Sequence, residues 1–143
     1  MSTYEAAITL LARREHSRLE LGRKLEQKGH DPDVVTEALD TAEAEGLLSD
    51  ERFAESYARA RREKGYGPLR IRAELRERGV AAELAAQGME ALDEDWPSLA
   101  EAVRQKRFGG DKPREAKERA RQSRFLQYRG FEADLVRRLL NED

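Results

Sequence analysis

The sequence contains no cysteine and only two histidines among its 143 residues. Without cysteine there is neither a disulfide nor thiolate chemistry, which fits a reducing cytosol. No apolar run approaches the roughly 20 residues of a membrane span. The N-terminus also lacks the basic-then-apolar pattern of a signal peptide. These absences together predict a soluble protein of the cytoplasm.

Residues that favour β-strands are scarce as well. Ile, Val and Thr together supply 11 residues, whereas Ala, Glu, Lys, Leu and Arg supply 84. The chain is therefore rich in helix formers and poor in stiff β-branched side chains. Large aliphatic and phenylalanine side chains number only 28, which predicts several small cores rather than one deep core. We predict an all-α fold.

Three glycines mark an internal repeat. Gly29, Gly79 and Gly130 each follow a leucine by four residues, and they are spaced 50 and then 51 residues apart. After each glycine, apolar or small residues recur at offsets of 5, 6, 9 and 10. A fixed period indicates repeated units that bury their apolar faces on neighbouring helices. We predict three tandem three-helix repeats in an elongated chain, spanning residues 1–48, 49–95 and 96–143.

Local signals place several helix starts. Ser17 and Glu20 have the spacing of a capping box, and Asp31 precedes a proline that suits the first helical turn. Asp50 is expected to cap the next helix. Trp96 also precedes a proline and is expected to wedge between the second and third repeats.

The small net charge of -2 hides a strong segregation of charge. Residues 30–55 carry a net charge of -8, residues 59–78 carry +5 and residues 104–129 carry +7. The two basic windows occupy matching parts of successive repeats, which predicts a continuous basic groove for an acidic protein surface or nucleic acid. The alternative is a solvated surface with ion pairs such as Glu74 with Arg78.

Ten bases and one tyrosine in these windows are the candidates for contact with a partner protein or with DNA phosphates. They are Arg61, Arg62, Lys64, Tyr66, Arg70, Arg72, Arg76, Lys106, Arg107, Arg119 and Arg124. Arg72 and Arg76 share a helix face beside the inward stripe of Ile71 and Leu75. Tyr66 lies between two glycines, so both a contact residue and a structural plug of the turn fit its position.

Motifs of catalysis and metal binding are missing. His16 and His30 stand outside any H-E-x-x-H frame, and no G-x-x-x-x-G-K-[ST] loop occurs. The acidic run 93–95 is expected to serve as a linker and helix cap. We therefore expect no enzymatic activity, no cofactor and no metal.

Four segments resemble the RecX family. They read Arg-Glu-His-Ser-Arg-Leu-Glu-Leu at 14–21, Gly-Leu-Leu-Ser-Asp-Glu-Arg-Phe-Ala at 46–54, Lys-Gly-Tyr-Gly-Pro-Leu-Arg-Ile at 64–71 and Arg-Phe-Leu-Gln-Tyr-Arg-Gly-Phe at 124–131. The resemblance covers nearly the whole chain. Gly22 departs from the basic residue that is usual in the family at this position.

The resemblance implies a non-catalytic modulator of the RecA recombinase, built as a curved, elongated body of three-helix repeats. Proteins of this family lodge in the helical groove of the RecA–DNA filament. There they limit filament growth and inhibit the ATPase, strand-exchange and co-protease activities, which links them to DNA repair and the SOS response. The implied partners are RecA and its filament, with weak non-specific DNA binding and a monomeric state.

Two other functions fit the residues. A helix-turn-helix DNA-binding module would present a recognition helix from a three-helix unit, although no base-reading set of side chains stands out. A helical-repeat adaptor for an unrelated protein is the third possibility, which the motifs around residues 46–54 and 65–68 disfavour.

Overall fold

The computed structural model describes residues 1–141, and within that range it contains nine α-helices and no strand. The helices are α1 (Thr3–Arg13), α2 (Arg18–Gln27), α3 (Pro32–Ala44), α4 (Asp50–Glu63), α5 (Pro68–Glu77), α6 (Ala82–Ala91), α7 (Trp96–Phe108), α8 (Ala116–Tyr128) and α9 (Ala133–Asn141). The all-α prediction and the arrangement in sets of three helices are confirmed.

Helix caps follow the sequence signals with one correction. Ser17 and Glu20 form both hydrogen bonds of a capping box at the start of α2, and Asp31 accepts two amides at the start of α3. The cap of α4 is Ser49, whose hydroxyl accepts the amide of Arg52, and not Asp50 as predicted. The Asp50 carboxylate instead accepts the amide of Arg18 at 2.8 Å, so it links the first two units.

Each set of three helices encloses its own small core, and the main helix packing lies within the sets. Leu21 and Leu25 are fully buried in the first core, Ile71 and Leu75 in the second, and Leu126 in the third. The burial of Ile71 and Leu75 confirms the inward stripe that the sequence predicts for α5. Three small cores are what a chain with few large apolar side chains can fill.

Gly22 is buried in the middle of α2 rather than exposed. A Cβ added there would lie 3.3 Å from the Leu39 Cδ1 atom, so the missing side chain lets α2 approach α3 closely. A glycine inside a helix costs about 1 kcal/mol relative to alanine. The close packing of the two helices offsets that cost.

The units are joined at the glycine turn between the second and third helix of each unit. This turn docks on the start of the middle helix of the preceding unit: Gly79 meets Leu19, and Gly130 meets Arg70. Added Cβ atoms would lie 2.7 Å from Leu19 Cβ and 2.4 Å from Arg70 Cβ. Gly29 of the first unit has no atom of the described residues within 4 Å of such a position.

The second and third units are bonded through their backbones. The Gly67 amide donates to the Arg129 carbonyl oxygen at 2.7 Å, and the Leu69 amide donates to the Gly130 carbonyl oxygen at 3.0 Å. Trp96 contacts both the second and the third core, which confirms its predicted position between the repeats. This connection fixes how the basic segments of the two units face each other. We call it the Gly67–Gly130 joint.

Arg104 belongs to a charged cluster inside the third unit, although it lies in a basic window of the sequence. Its side chain is 0% exposed, and its guanidinium donates to the Glu101 carboxylate through two bonds of 2.8 Å. Hydrogen bonds from Arg104, helped by Gln105 and Lys112, outweigh partial burial and lower the pKa of Glu101 to about 2. A buried guanidinium requires such a partner.

Replacing Gly130 by alanine tests the Gly67–Gly130 joint. Gly130 has a φ of +105° and a crowded Cβ position, whereas Gly29 has a φ of +95° in open space. We expect Gly29→Ala to lower the free energy of unfolding by about 1 kcal/mol through backbone strain alone. Gly130→Ala adds steric overlap and should cost about 3 kcal/mol. Denaturant unfolding compares the two, and equal losses would contradict a tight joint.

The Glu101–Arg104 pair predicts a specific acid sensitivity. Because the folded protein depresses the pKa of Glu101 to about 2, the stability it contributes is present above pH 4.5 and is lost as the pH falls towards 2. Glu101→Gln should lower the free energy of unfolding at pH 7 by about 2–3 kcal/mol and flatten its dependence on pH over that interval. Glu132→Gln, an exposed change in the same unit, is the control and should leave both unchanged. Equal pH profiles for the two variants would refute the role of the pair.

Candidate functional site

Some of the predicted contact residues form ion pairs within the chain and others do not. Arg61 and Arg70 both pair with Glu74. Their Nε atoms donate to the two carboxylate oxygens of Glu74 at 2.8 and 3.0 Å, and the Tyr57 hydroxyl donates to the same group at 2.9 Å. Partial burial would raise the pKa of Glu74, but these hydrogen bonds outweigh it and hold the pKa below its usual range. Glu74 therefore ties α4 to α5.

The ion pair between Glu74 and Arg78, named above as an example of the solvated-surface alternative, does not form between the two side chains. Arg78 donates to the backbone carbonyl oxygen of Glu74 at 3.0 Å, while the carboxylate is occupied by Arg61 and Arg70. The i,i+4 pattern alone could not show this, because Arg61 reaches Glu74 from another helix.

Tyr66 is covered by guanidinium groups. The central carbons of Arg61, Arg70 and Arg129 lie 3.9, 4.4 and 4.8 Å from the centre of its ring. Such cation–π contacts stabilise the turn, and they leave the ring little open face. The two predicted roles of Tyr66 were a contact residue and a structural plug of the turn. Its position under three guanidinium groups fits the plug of the α4–α5 turn.

Arg129 connects this turn to the third unit, and sequence reasoning did not select it. Its Nη1 atom donates to the Lys64 carbonyl oxygen at 2.9 Å, and its guanidinium lies 5.3 Å from the centre of the Phe125 ring. Arg70 completes the connection by donating to the Tyr128 carbonyl oxygen at 3.2 Å. The sequence did carry signals for it, since Arg129 directly precedes the repeat glycine and lies in the RecX-like segment 124–131.

Two further candidates bond within the chain. Arg62 pairs with Glu94 at 3.3 Å. The acidic run 93–95 connects α6 to α7, and Asp95 caps α7 by accepting the Ser98 amide, as expected. Arg119 donates to the Arg114 carbonyl oxygen at 2.9 Å and borders a groove between α8 and α9. The structure therefore places Arg119 on a different groove from the second-unit candidates.

The remaining six candidates are exposed and form no ion pair within residues 1–141. They are Lys64, Arg72, Arg76, Lys106, Arg107 and Arg124. Arg72 and Arg76 lie on the outer face of α5, as predicted. Unpaired surface cations retain their charge for an anionic partner. We call these six residues the unpaired basic set.

Three members of the unpaired basic set border one cleft, between the second and third units. Its volume is about 430 Å³. The lining residues are Glu63, Lys64, Gly65, Leu99, Ala102, Val103, Lys106, Arg107, Phe125 and Arg129. We call this the inter-unit cleft. It combines an apolar floor with a cationic rim.

Neither histidine is placed among metal ligands. His16 is buried, with Nδ1 3.1 Å from the Arg14 carbonyl oxygen and Nε2 3.0 Å from the Lys24 amine, and burial lowers its pKa. His30 bonds to the Thr3 hydroxyl at 2.7 Å. Residues 1–141 contain no cluster of three or more side chains suited to a metal. In the same range, no helix is both long and apolar enough to cross a membrane.

Three family models match the chain in order. They describe the first, second and third three-helix domains of RecX and match residues 4–41, 49–89 and 93–140. The chain belongs to the RecX family. The resemblance inferred from the four sequence segments is therefore confirmed.

Curated relatives of the RecX family agree with this assignment. The Regulatory protein RecX of Halorhodospira halophila is 50% identical over 133 residues, which cover 93% of this chain and 83% of the relative. That of Pseudomonas syringae pv. tomato is 46% identical over 135 residues, covering 94% and 87%. Their names support a regulatory role for the chain.

Solved structures of the family share the fold. The crystal structure of RecX from Lactobacillus salivarius has a TM-score of 0.78 at 22% identity and covers 96% of this chain and 91% of its own. A second crystal structure, of regulatory protein RecX, has a TM-score of 0.83 at 20% identity and covers 98% and 70%. The helix arrangement thus persists where most of the sequence differs.

Removing the Glu74 charge tests its role in linking α4 to α5. Glu74→Gln leaves Arg61 and Arg70 without a counter-charge, and we expect it to lower the free energy of unfolding by about 1–3 kcal/mol. Burial and the bond to Glu74 raise the pKa of Tyr57 to about 12. The variant should therefore lower this pKa, as followed by ultraviolet absorbance in an alkaline titration.

Glu77→Gln is the matched control for this experiment. Glu77 lies on the same helix with 74% of its side chain exposed. We expect its neutralisation to leave both the unfolding free energy and the Tyr57 titration unchanged. An unchanged Tyr57 titration in Glu74→Gln would show that the bond between the two residues is unimportant.

Proposed function

We propose that the protein regulates the RecA recombinase by binding RecA and the RecA–DNA filament. Bound there, it inhibits the ATPase, strand-exchange and co-protease activities and so acts in DNA repair, recombination and the SOS response. Membership of the RecX family supports this proposal, as do the regulatory names of its relatives. The observation that carries it is the unpaired basic set, exposed on the second and third units.

Rigidity supplies the mechanism. The Gly67–Gly130 joint and the cation–π contacts of Tyr66 hold the two units in one arrangement. A rigid body that contacts two RecA protomers favours the filament geometry it fits and disfavours the others that turnover requires. The difference in binding free energy between these filament conformations shifts the filament away from those needed for ATP hydrolysis and growth.

The proposal includes how the chain works as a whole. It acts as a cytoplasmic monomer, without catalysis, cofactor or metal. Residues 1–48, 49–95 and 96–143 are its three structural units.

Weak DNA binding is an accessory property that the unpaired basic set also supports. Arg72 and Arg76 lie four residues apart on the exposed face of α5, within reach of successive phosphates. Such contacts are independent of sequence and weaken steeply with salt. A helix-turn-helix protein would in addition read bases, so sequence-specific binding to naked DNA would favour that alternative.

Charge reversal on α5 tests the proposed function. We expect Arg72→Glu/Arg76→Glu to fold normally, because exposed charges contribute about 0–1 kcal/mol each. The variant should inhibit the DNA-dependent ATPase of RecA at least about tenfold more weakly, because it reverses two contacts with an acidic surface or phosphates. The measurements are an ATPase titration and a thermal melt, together with binding to naked DNA, RecA alone and the RecA–DNA filament.

Arg13→Glu/Arg23→Glu provides the matched control. Both arginines are exposed on the first unit and make no ion pair in the described part of the chain. Because the control also replaces two arginines by glutamates, it changes the net charge by the same amount. This variant should inhibit the ATPase as the wild type does. Unchanged inhibition by a folded Arg72→Glu/Arg76→Glu variant would mean that the face is wrong.

A further inference from the structure

We propose that the inter-unit cleft is an anchor site for a large apolar side chain flanked by carboxylates, supplied by an acidic segment of the partner protein. The inference rests on the proposed function and names the chemistry of the contact. It uses the same second and third units but a different feature from the exposed face of α5.

The floor of the cleft is apolar. Leu99, Ala102 and Val103 line it from α7, and Phe125 lines it from α8. Its volume of about 430 Å³ lies within the range of ligand pockets, roughly 300–1,000 Å³. Burying one large apolar side chain on such a floor is the main source of affinity that the cleft offers.

The rim of the cleft has an excess of positive charge. Lys64, Lys106 and Arg107 border it without an ion pair among the described residues, and Arg129 adds a fourth cation. Glu63 is the one acid in the lining. Carboxylates next to the anchoring side chain would form charge-assisted hydrogen bonds with these cations. An apolar floor with a cationic rim therefore complements an acidic peptide better than a purely apolar one.

The aromatic rings disfavour a nucleotide in this cleft. Single-stranded nucleic acids bind by stacking bases on open aromatic faces. The guanidiniums of Arg107 and Arg129 each lie 5.3 Å from the centre of the Phe125 ring, and Phe108 meets it edge to face at 5.3 Å. Tyr66 is likewise covered by arginines. The rest of the floor is aliphatic and gives a base no aromatic ring on which to stack.

The cleft is formed before any partner binds. Gly65, with a φ of +86°, brings the α4–α5 turn so close that an added Cβ would lie 3.0 Å from the Val103 Cγ2 atom. Arg129 holds the same turn through the Lys64 carbonyl oxygen. A preformed site avoids the entropic cost of ordering its walls.

Filling the cleft tests the proposal without altering charge. Ala102 is exposed and lines the cleft, so Ala102→Trp should occupy it; Ala86→Trp on the exposed face of α6 is the matched control. The probe is a fluorescein-labelled peptide in which one leucine stands between two pairs of aspartates. Fluorescence polarisation should show wild type and Ala86→Trp binding this peptide about tenfold or more tightly than its leucine-to-alanine analogue. Ala102→Trp should lose that preference.

The rim is tested by reversing its charge. We expect Lys106→Glu/Arg107→Glu to weaken binding of the leucine peptide by at least about tenfold. Arg114→Glu/Lys117→Glu, at exposed positions that do not line the cleft, is the matched control and should bind nearly as the wild type does. Equal losses in the two variants would indicate non-specific attraction and would overturn the proposal.

Three other outcomes would also overturn it. One is equal binding of the leucine and alanine peptides. Another is binding of oligo-dT that is stronger than binding of the leucine peptide and that Ala102→Trp abolishes. The third is self-association in sedimentation that Ala102→Trp abolishes, which would make a second copy of the chain the occupant.

The RecA ATPase titration separates this inference from the proposed function. Failure of the wild type to inhibit RecA would refute the proposed function, and with it the partner named here. Full inhibition by Ala102→Trp, alongside normal inhibition by the wild type, would remove the cleft from the interface while leaving the proposed function in place. Weakened inhibition by Ala102→Trp but not by Ala86→Trp is the result that supports both.

Discussion

The close backbone approach between Gly67 and Gly130 is the constraint on which the rest of the structure depends. An added Cβ on Gly67 would lie 2.5 Å from the Gly130 carbonyl carbon, so the two turns touch through their main chains. Two backbone hydrogen bonds form there, and they bring Arg129 over Tyr66. The position of the third unit, the walls of the inter-unit cleft and the exposure of its rim all follow from this contact.

A contact of a similar kind, without backbone hydrogen bonds among the described residues, links the first and second units. Gly79 docks on the start of α2 as Gly130 docks on the start of α5, whereas Gly29 meets no atom. A repeat protein is stabilised by each unit and by the contacts between neighbours. With only three small cores, the contacts between neighbouring units add to the stability of the chain.

The arginines of the chain serve two physical purposes. Arg61, Arg70 and Arg104 are neutralised by glutamates and support the helix packing. The unpaired basic set keeps its charge at the surface, where an anionic partner can neutralise it. A guanidinium suits both purposes because it stays charged when partly buried and can stack on an aromatic ring while it donates hydrogen bonds. The net charge of the chain therefore does not indicate where it can bind an anionic partner. What matters is which arginines are paired with glutamates and which are not.

The helical fold, the three units and the position of Trp96 could be predicted from the sequence, because helix propensity, capping and a 50-residue period are local signals that repeat. Local spacing also identified Ile71 and Leu75 as the inward stripe of α5. Local spacing could not separate the paired arginines from the unpaired ones. Arg61 donates to Glu74 from another helix, and Arg129 contacts the Tyr66 ring from another unit. Which cations are paired and which are free depends on contacts between residues far apart in the chain, and only the tertiary structure decides them.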